Sequence, residues 1–331
     1  MKSRIIFIAL FMILFNSYGK DLIERFDDDT YVNWTAGEVC ATGVGILTST
    51  KWTMEDKINA HRAASLDALR KLTETIGKIY VDSDVKISTF YENDNIFKKK
   101  IDGIVRNFSE KKVNFTDDGV CKVEISVPIN GDGSIADVFL GGQDIPKVED
   151  FADKNKVVTN EASSPSVTTE PVKKVEMASI PQKEEPQVNP SIDASIKSSQ
   201  DGDTKPEETK IAQISGLVIN AAGLDVRPAL NPKIVSETGE EFYGFNKADK
   251  DFRRLNGLAS YAVNMDDACL DKRVIETPFT MEAKGVVEGK PATIIVNSKD
   301  IEKFSRLDGN TRILNHCRVI IVTQDEKQQS T

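Results

Sequence analysis

Apolar and polar positions change rhythm several times along this chain, and each change predicts an element. The stretch "TYVNWTAGEVCATGVGIL" (30–47) predicts one long strand of small residues, with Trp34, Ala36 and Cys40 on one parity. Thr53 followed three residues later by Asp56 is a capping-box arrangement. The helix it opens has Ile58, Leu66, Leu69, Leu72 and Ile76 on one face and Gly77 as its stop. "KIYVDSDVKISTFY" (78–91) predicts a second strand region, and a shorter helix from about Asn93 carries Ile96, Phe97, Ile101, Ile104 and Val105 at helical spacing. Two further strands, "NFSEKKVNF" and "GVCKVEISVPI", meet at Asp117-Asp118-Gly119, the chemistry of a hairpin turn. In the second of them Cys121, Val123, Ile125 and Val127 alternate with Lys122, Glu124 and Ser126, so one face is buried and one is wet.

The rhythm stops at about Lys147. From 147 to 213 the chain is rich in Pro, Ser, Thr, Glu and Lys and almost without aromatics, a composition that cannot bury enough apolar surface to offset its chain entropy. It predicts a disordered linker. Pattern returns at 214–325. "SGLVINAAGL" predicts a strand, "PKIVSETGEEFYG" a hairpin turning at Thr238-Gly239, and "PATIIVNSKDIEKFSRL" a strand running into a helix capped by Ser298. "HCRVIIVTQ" predicts a buried strand, and strand, helix, strand suggests a small mixed sheet with a parallel pair. The expected fold class is therefore α+β: two small mixed α/β domains, at 28–146 and 214–325, joined by the long linker at 147–213.

The N-terminus changes the picture by placing the chain. Lys2 and Arg4 precede an apolar run from Ile5 to Phe15 and then the small or polar Asn16, Ser17 and Gly19, the layout of a cleaved secretory signal over 1–19. The run is shorter than the roughly 20 residues of a spanning helix, so no transmembrane anchor is expected after cleavage, and the chain is expected in the periplasm. The formal charge is −9, and removal of the leader takes two positive charges with it. An acidic chain with no basic stripe is a poor nucleic-acid binder, because phosphate contacts supply most of that affinity.

Candidate chemistry is thin. Gly43 and Gly45 invite comparison with a phosphate-cradling loop, but the third position of a Gly-x-Gly-x-x-Gly fingerprint is Thr48, and several residues separate Gly45 from the cap at Thr53. Close packing of a strand against a neighbour explains the pair better. Only His61 and His316 exist, one in each folded region, and no Cys-x-x-Cys, His-x-x-x-His or Gly-x-Ser-x-Gly motif accompanies them. No cofactor, metal or catalytic residue is expected. Asp266-Asp267 and Glu240-Glu241 fall where solvated loops are expected, and the acidic first turn of the helix after Ser298 favours capping over anion binding. Asp225 and Arg227, two apart on an expected strand, form a structural pair or a small surface site in the second domain. The four cysteines fall two to each folded region, and in an exported protein this predicts bridges Cys40–Cys121 and Cys269–Cys317.

"NWTAGEVCATGVG", "AASLDALRKLTETIG", "VDSDV", "IDGIV" and "DDGVCKVEISVPINGDG" together resemble a domain of bacterial envelope proteins. It is that of the twenty-kilodalton outer-membrane lipoprotein family, to which the flagellar lipoprotein FlgP belongs, and of the N-terminal part of the flagellar assembly protein FlgT. The resemblance spans about 30–133, and its most specific part is the helix signature Ala63-Ala64, Asp67-Ala68, Arg70, Leu72, Glu74, Gly77. It implies a non-enzymatic, periplasm-facing assembly module whose partners are other envelope or flagellar proteins, including a homo-oligomeric ring. No lipid-accepting cysteine follows the leader, since the first cysteine is Cys40. "SGLVINAAGLDVRPALNPKIV" and "CRVIIV" are similar to C-terminal segments of uncharacterised envelope proteins. The expected function is envelope assembly or scaffolding at the flagellar basal body or outer membrane. The alternative is a periplasmic solute-binding protein or enzyme with a cleft in the C-terminal domain.

Overall fold

The computed structural model describes residues 20–47, 52–144, 214–274, 276–309 and 311–323. The expected leader at 1–19 and linker at 147–213 lie outside them. The described residues form two sheets with their helices, one from 20–144 and one from 214–323, and both contribute to one compact unit with a continuous apolar core.

The first half is a five-stranded antiparallel sheet in the order β1-β2-β3-β5-β4. Its strands are β1 (Ile23–Arg25), β2 (Thr30–Asn33), β3 (Glu38–Ile46), β4 (Ser109–Phe115) and β5 (Val120–Pro128). The single strand expected over 30–47 is thus a hairpin. Asn33 turns the chain: its side-chain oxygen accepts from the Ala36 N–H and its carbonyl from the Gly37 N–H, and Gly37 takes a φ of +70°. The expected hairpin at Asp117-Asp118-Gly119 joins β4 to β5, with the Gly119 N–H donating to Thr116 O.

Helix α1 (Met54–Lys78) crosses one face of this sheet. Its capping box forms as expected, with Thr53 Oγ1 accepting from the Asp56 N–H and the Asp56 carboxylate accepting from the Thr53 N–H. The buried face keeps the expected Leu72 and Ile76, with Leu69 half-buried against the core, and departs from the expected one at Ile58 and Leu66. Ala60, Ala64, Ala68, Leu72 and Ile76 point inward, while Ile58 is 45% exposed and Leu66 68%. The reason lies in β3. A Cβ on Gly43 would fall within 3.0 Å of Ala64 O and Ala68 N, and one on Gly45 within 3.0 Å of Ala60 O. Helix and strand backbones therefore touch, and only alanines fit the seam. Gly77 is no stop either: it lies buried inside the last turn, against Ser88, and the helix caps at Ile79.

The expected strand at 78–91 is a loop followed by a helix. Asp82 closes the loop by accepting from the Asp84 and Val85 N–H groups, Tyr80 and Lys86 form an isolated bridge, and α2 (Ile87–Asn93) follows. Its β-branched start suggested a strand, but Ile87 and Phe90 bury at helical spacing, and Phe90 joins Phe97 and Phe139 in an aromatic cluster. Phe97 belongs to α3 (Asn95–Arg106) and Phe139 to α4 (Ile135–Leu140).

The second half is a seven-stranded mixed sheet in the order β8-β7-β11-β10-β6-β12-β9. Its strands are β6 (Leu217–Asn220), β7 (Lys233–Ser236), β8 (Glu241–Tyr243), β9 (Ser260–Ala262), β10 (Phe279–Val287), β11 (Lys290–Val296) and β12 (Val319–Val322). Strands β10, β6, β12 and β9 run parallel, as do β7 and β11. Helix α5 (Lys250–Asn256) leads into β9, α6 (Met265–Leu270) follows it, and α7 (Ser298–Asp308) follows β11. The cap of α7 is Asn297, whose side chain accepts from the Lys299 N–H, one residue before the expected Ser298. One face of the sheet, with Leu217, Ile219, Met281, Val319 and Ile321, faces the shared core; the other packs Val218, Ile320 and Val322 under Ala268 of α6.

The halves meet through the shared apolar core and through polar contacts, many of them to main-chain groups. The Asp82 loop offers two carbonyls and a hydroxyl to the second half: the Leu230 N–H donates to Tyr80 O (3.0 Å), the Asn231 N–H to Val81 O (2.7 Å), and the Ala292 N–H to Ser83 Oγ (3.1 Å). Trp34 packs edge-on against Tyr261 at 5.5 Å, and Thr35 Oγ1 donates to Tyr261 O. Buried Arg253 on α5 reaches into the first half. It donates from Nε to Leu140 O (2.7 Å) and from Nη2 to Gly142 O (2.5 Å), keeps Nη1 on its own Ala248 O, and lies 3.8 Å from the Phe245 ring centre.

Candidate functional site

Between the turn that follows β2 and the ends of α5, α6 and β12 lies an open cleft of about 400 Å³. The first half contributes Thr35, Ala36, Gly37 and Asn130, and the second Phe252, Leu255, Asn256, Ser260, Asp271, Lys272, Arg273, His316, Cys317 and Arg318. Asn130 sits between the halves. Gly257, with a φ of +70°, passes so close to the Asn130 side chain that a Cβ there would overlap it.

Arg273 anchors the second half's side of the cleft. Its Nη1 donates to Cys317 O (2.9 Å) and Gly257 O (3.4 Å), and its Nη2 to Asn256 O. Burial pushes the guanidinium below the usual arginine range. Its hydrogen-bond acceptors among the described residues are carbonyls; the nearby Asp271 carboxylate accepts instead from the Arg273 backbone N–H (2.7 Å). Lys272 and Arg318 are exposed. Among the described residues neither forms an ion pair. Phe252 stacks on the His316 ring at 4.2 Å and, like Leu255, stays more than a third exposed.

The residues singled out by sequence do not converge here, with the exception of His316 and Cys317. All four cysteines are free thiols. Cys121 pairs with Gly45 and Cys40 with Ser126, which places the two thiols five residues apart along the β3/β5 ladder and on opposite faces of the sheet, so the expected Cys40–Cys121 bridge does not form. Cys269 packs on the outer cluster beneath α6 and Cys317 in the shared core, on opposite sides of the parallel sheet, so the Cys269–Cys317 bridge does not form either. Burial pushes the Cys40 thiol up and the Cys317 thiol to about 11, so both are held as thiols. Asp225 and Arg227 lie in the loop between β6 and β7 rather than on a strand. Asp225 is exposed, and Arg227 lies over the Tyr80 ring at 4.4 Å, a contact across the joint. His61 bridges α1 to the edge strand β4 through Glu110 at 2.9 Å. Gly43 and Gly45 serve the α1 seam, as the strand reading expected.

The sequence reading missed Arg253, Arg273, Asn130 and the cleft. The dipeptide Lys272-Arg273 was the one local signal, and it points nowhere until the fold sets Arg318 and Asn130 beside it. Among the described residues no group of three or more His, Cys, Asp and Glu side chains is placed to hold a metal ion, and no helix is long and apolar enough to cross a membrane.

A family model described as the second domain of Treponema pallidum Tp0624 matches residues 216–326, that is, the second half described above. No curated protein matches the chain.

Proposed function

We propose that this chain is a non-enzymatic assembly or scaffolding protein of the cell envelope, exported to the periplasm and acting at the flagellar basal body or the outer membrane. The observation that carries the reading is a set of large apolar side chains left exposed on α1. The middle of the helix is spent on the Gly43/Gly45 seam, yet Met54 (74% exposed) and Ile58, on the same stripe as buried Leu72 and Ile76, stay exposed in the first turns, and Leu66 is exposed on the flank. A spaced set of large apolar side chains on a charged helix suits a partner rather than solvent. The neighbouring edge strand is a poorer docking place: β4 carries Lys111 and Lys112 and a register shift between Glu110 and Lys112, devices that discourage strand addition. The resemblance of 30–133 to the outer-membrane lipoprotein and FlgT domains supplies the cellular setting.

The test is crosslinking in intact cells from a photoreactive residue at position 58, followed by identification of the captured proteins. Flagellar-ring or outer-membrane components, lost when Leu66→Glu is added, are the expected result. Capture of nothing, or capture undiminished by Leu66→Glu, would remove the support for α1 as the docking helix.

A further inference from the structure

We propose that the cleft at the joint of the two halves binds a small ligand that carries one oxyanion, a carboxylate or a phosphate, next to a compact apolar group. Charge is the first argument. The chain as a whole is acidic, with a formal charge of −9, yet Lys272, Arg273 and Arg318 face this cleft against one carboxylate among the described residues, that of Asp271. That carboxylate is already engaged by the Arg273 N–H.

The second argument is what the cations do. Arg253, the other arginine held by main-chain carbonyls, spends its donors on Leu140, Gly142 and Ala248 carbonyls and its flat face on Phe245, and so works as a clamp. Arg273 is also held by carbonyls, but it borders open space beside two cations that form no ion pair among the described residues. Like charges gathered on one wall of a cleft focus a positive potential there that attracts an anion. Guanidinium groups match carboxylate and phosphate oxygens in a fork geometry, which sets the ligand's head.

The third argument is shape. Phe252, fixed by its stack on His316, and Leu255 stand partly exposed on the wall of the same cleft and would cover an apolar body. About 400 Å³ lies at the lower end of small-molecule sites, enough for one aromatic or branched group with its acidic head. The inference does not depend on the role given to α1.

Titration calorimetry on the full mature chain tests it with three probes: N-acetylphenylalanine, its uncharged amide, and phenyl phosphate. Saturable binding of the acid or the phosphate with a Kd of about 1 mM or tighter is expected, with the amide at least about tenfold weaker. Whichever acid binds more tightly identifies the head group. The Lys272→Glu and Arg318→Glu variants, both at exposed positions with no ion pair among the described residues, are expected to weaken the acid about tenfold each with the unfolding midpoint unchanged. Amide binding as tight as the acid, no saturation by any probe, or full affinity in the charge-reversed variants would overturn the proposal.

Discussion

Where α1 crosses β3, Ala60, Ala64 and Ala68 lie directly on Gly43 and Gly45, and the two backbones touch. Where the two halves meet, N–H groups of the second half donate to Tyr80 O, Val81 O and Ser83 Oγ of the Asp82 loop, Arg253 donates to carbonyls of the first half, Arg254 pairs with Asp132, and Arg227 and Tyr261 pack on Tyr80 and Trp34. Both places are buried, but they respond to substitution by different physics. The seam has no spare volume, so any added atom must move a backbone. The joint adds directional bonds to the shared apolar core, so losing one partner strands the other in a dry place.

The comparison orders the expected effects. Gly43→Val should have the largest, because its side chain would overlap the Ala64 carbonyl and the Ala68 backbone. Loss of more than about 4 kcal/mol, read as failure to fold or a collapsed urea midpoint, is expected. Val44→Ala, one residue away on the open face, should cost far less, and equal losses at the two positions would erase the distinction. Arg253→Met comes next. It strands the Leu140, Gly142 and Ala248 carbonyls, with an expected cost of about 3 kcal/mol. The unfolding curve should also broaden as the halves lose coupling. Tyr261→Phe is smaller: it deletes the hydroxyl that accepts from the Ala229 N–H and donates to Ala229 O, at about 1–2 kcal/mol.

The smallest effect is electrostatic and belongs to the first half alone. Burial pushes the Asp67 carboxyl up, but hydrogen bonds from Lys71, Arg70 and the Val44 N–H outweigh it and leave the group below its ordinary 3.8. A lowered carboxylate contributes stability above its unfolded pKa and loses it as pH falls through the folded one. Asp67→Asn should therefore lower the midpoint at pH 7, with the gap to the parent closing as pH falls below 3.8 through the folded pKa. A gap that stays constant with pH would show that Asp67 acts by packing rather than charge.

Much of the architecture was legible from sequence because it rests on local chemistry. The capping box at Thr53 and Asp56, the turns at Gly119 and Gly239, and the alternation along β5 each follow from a few adjacent residues. The misses share a cause in tertiary contact. Leu66 and Ile58 suggested the inner face of α1 by hydropathy, but the glycines of β3 admit only alanine there. "KISTFY" looked like a strand, yet Phe90 finds Phe97 and Phe139 only when it is helical. The cleft was not legible at all, since Asn130, Lys272, Arg273 and Arg318 are brought together by a joint between segments far apart in sequence.

That joint is the central claim, and amide hydrogen exchange in the full chain tests it most directly. The Leu230, Asn231 and Ala292 N–H groups should be protected to the level of the β6 and β12 strand amides, because their acceptors belong to the Asp82 loop of the other half. Exchange of these three at unprotected rates, while both sheets stay protected, would contradict it and leave two halves that fold without meeting.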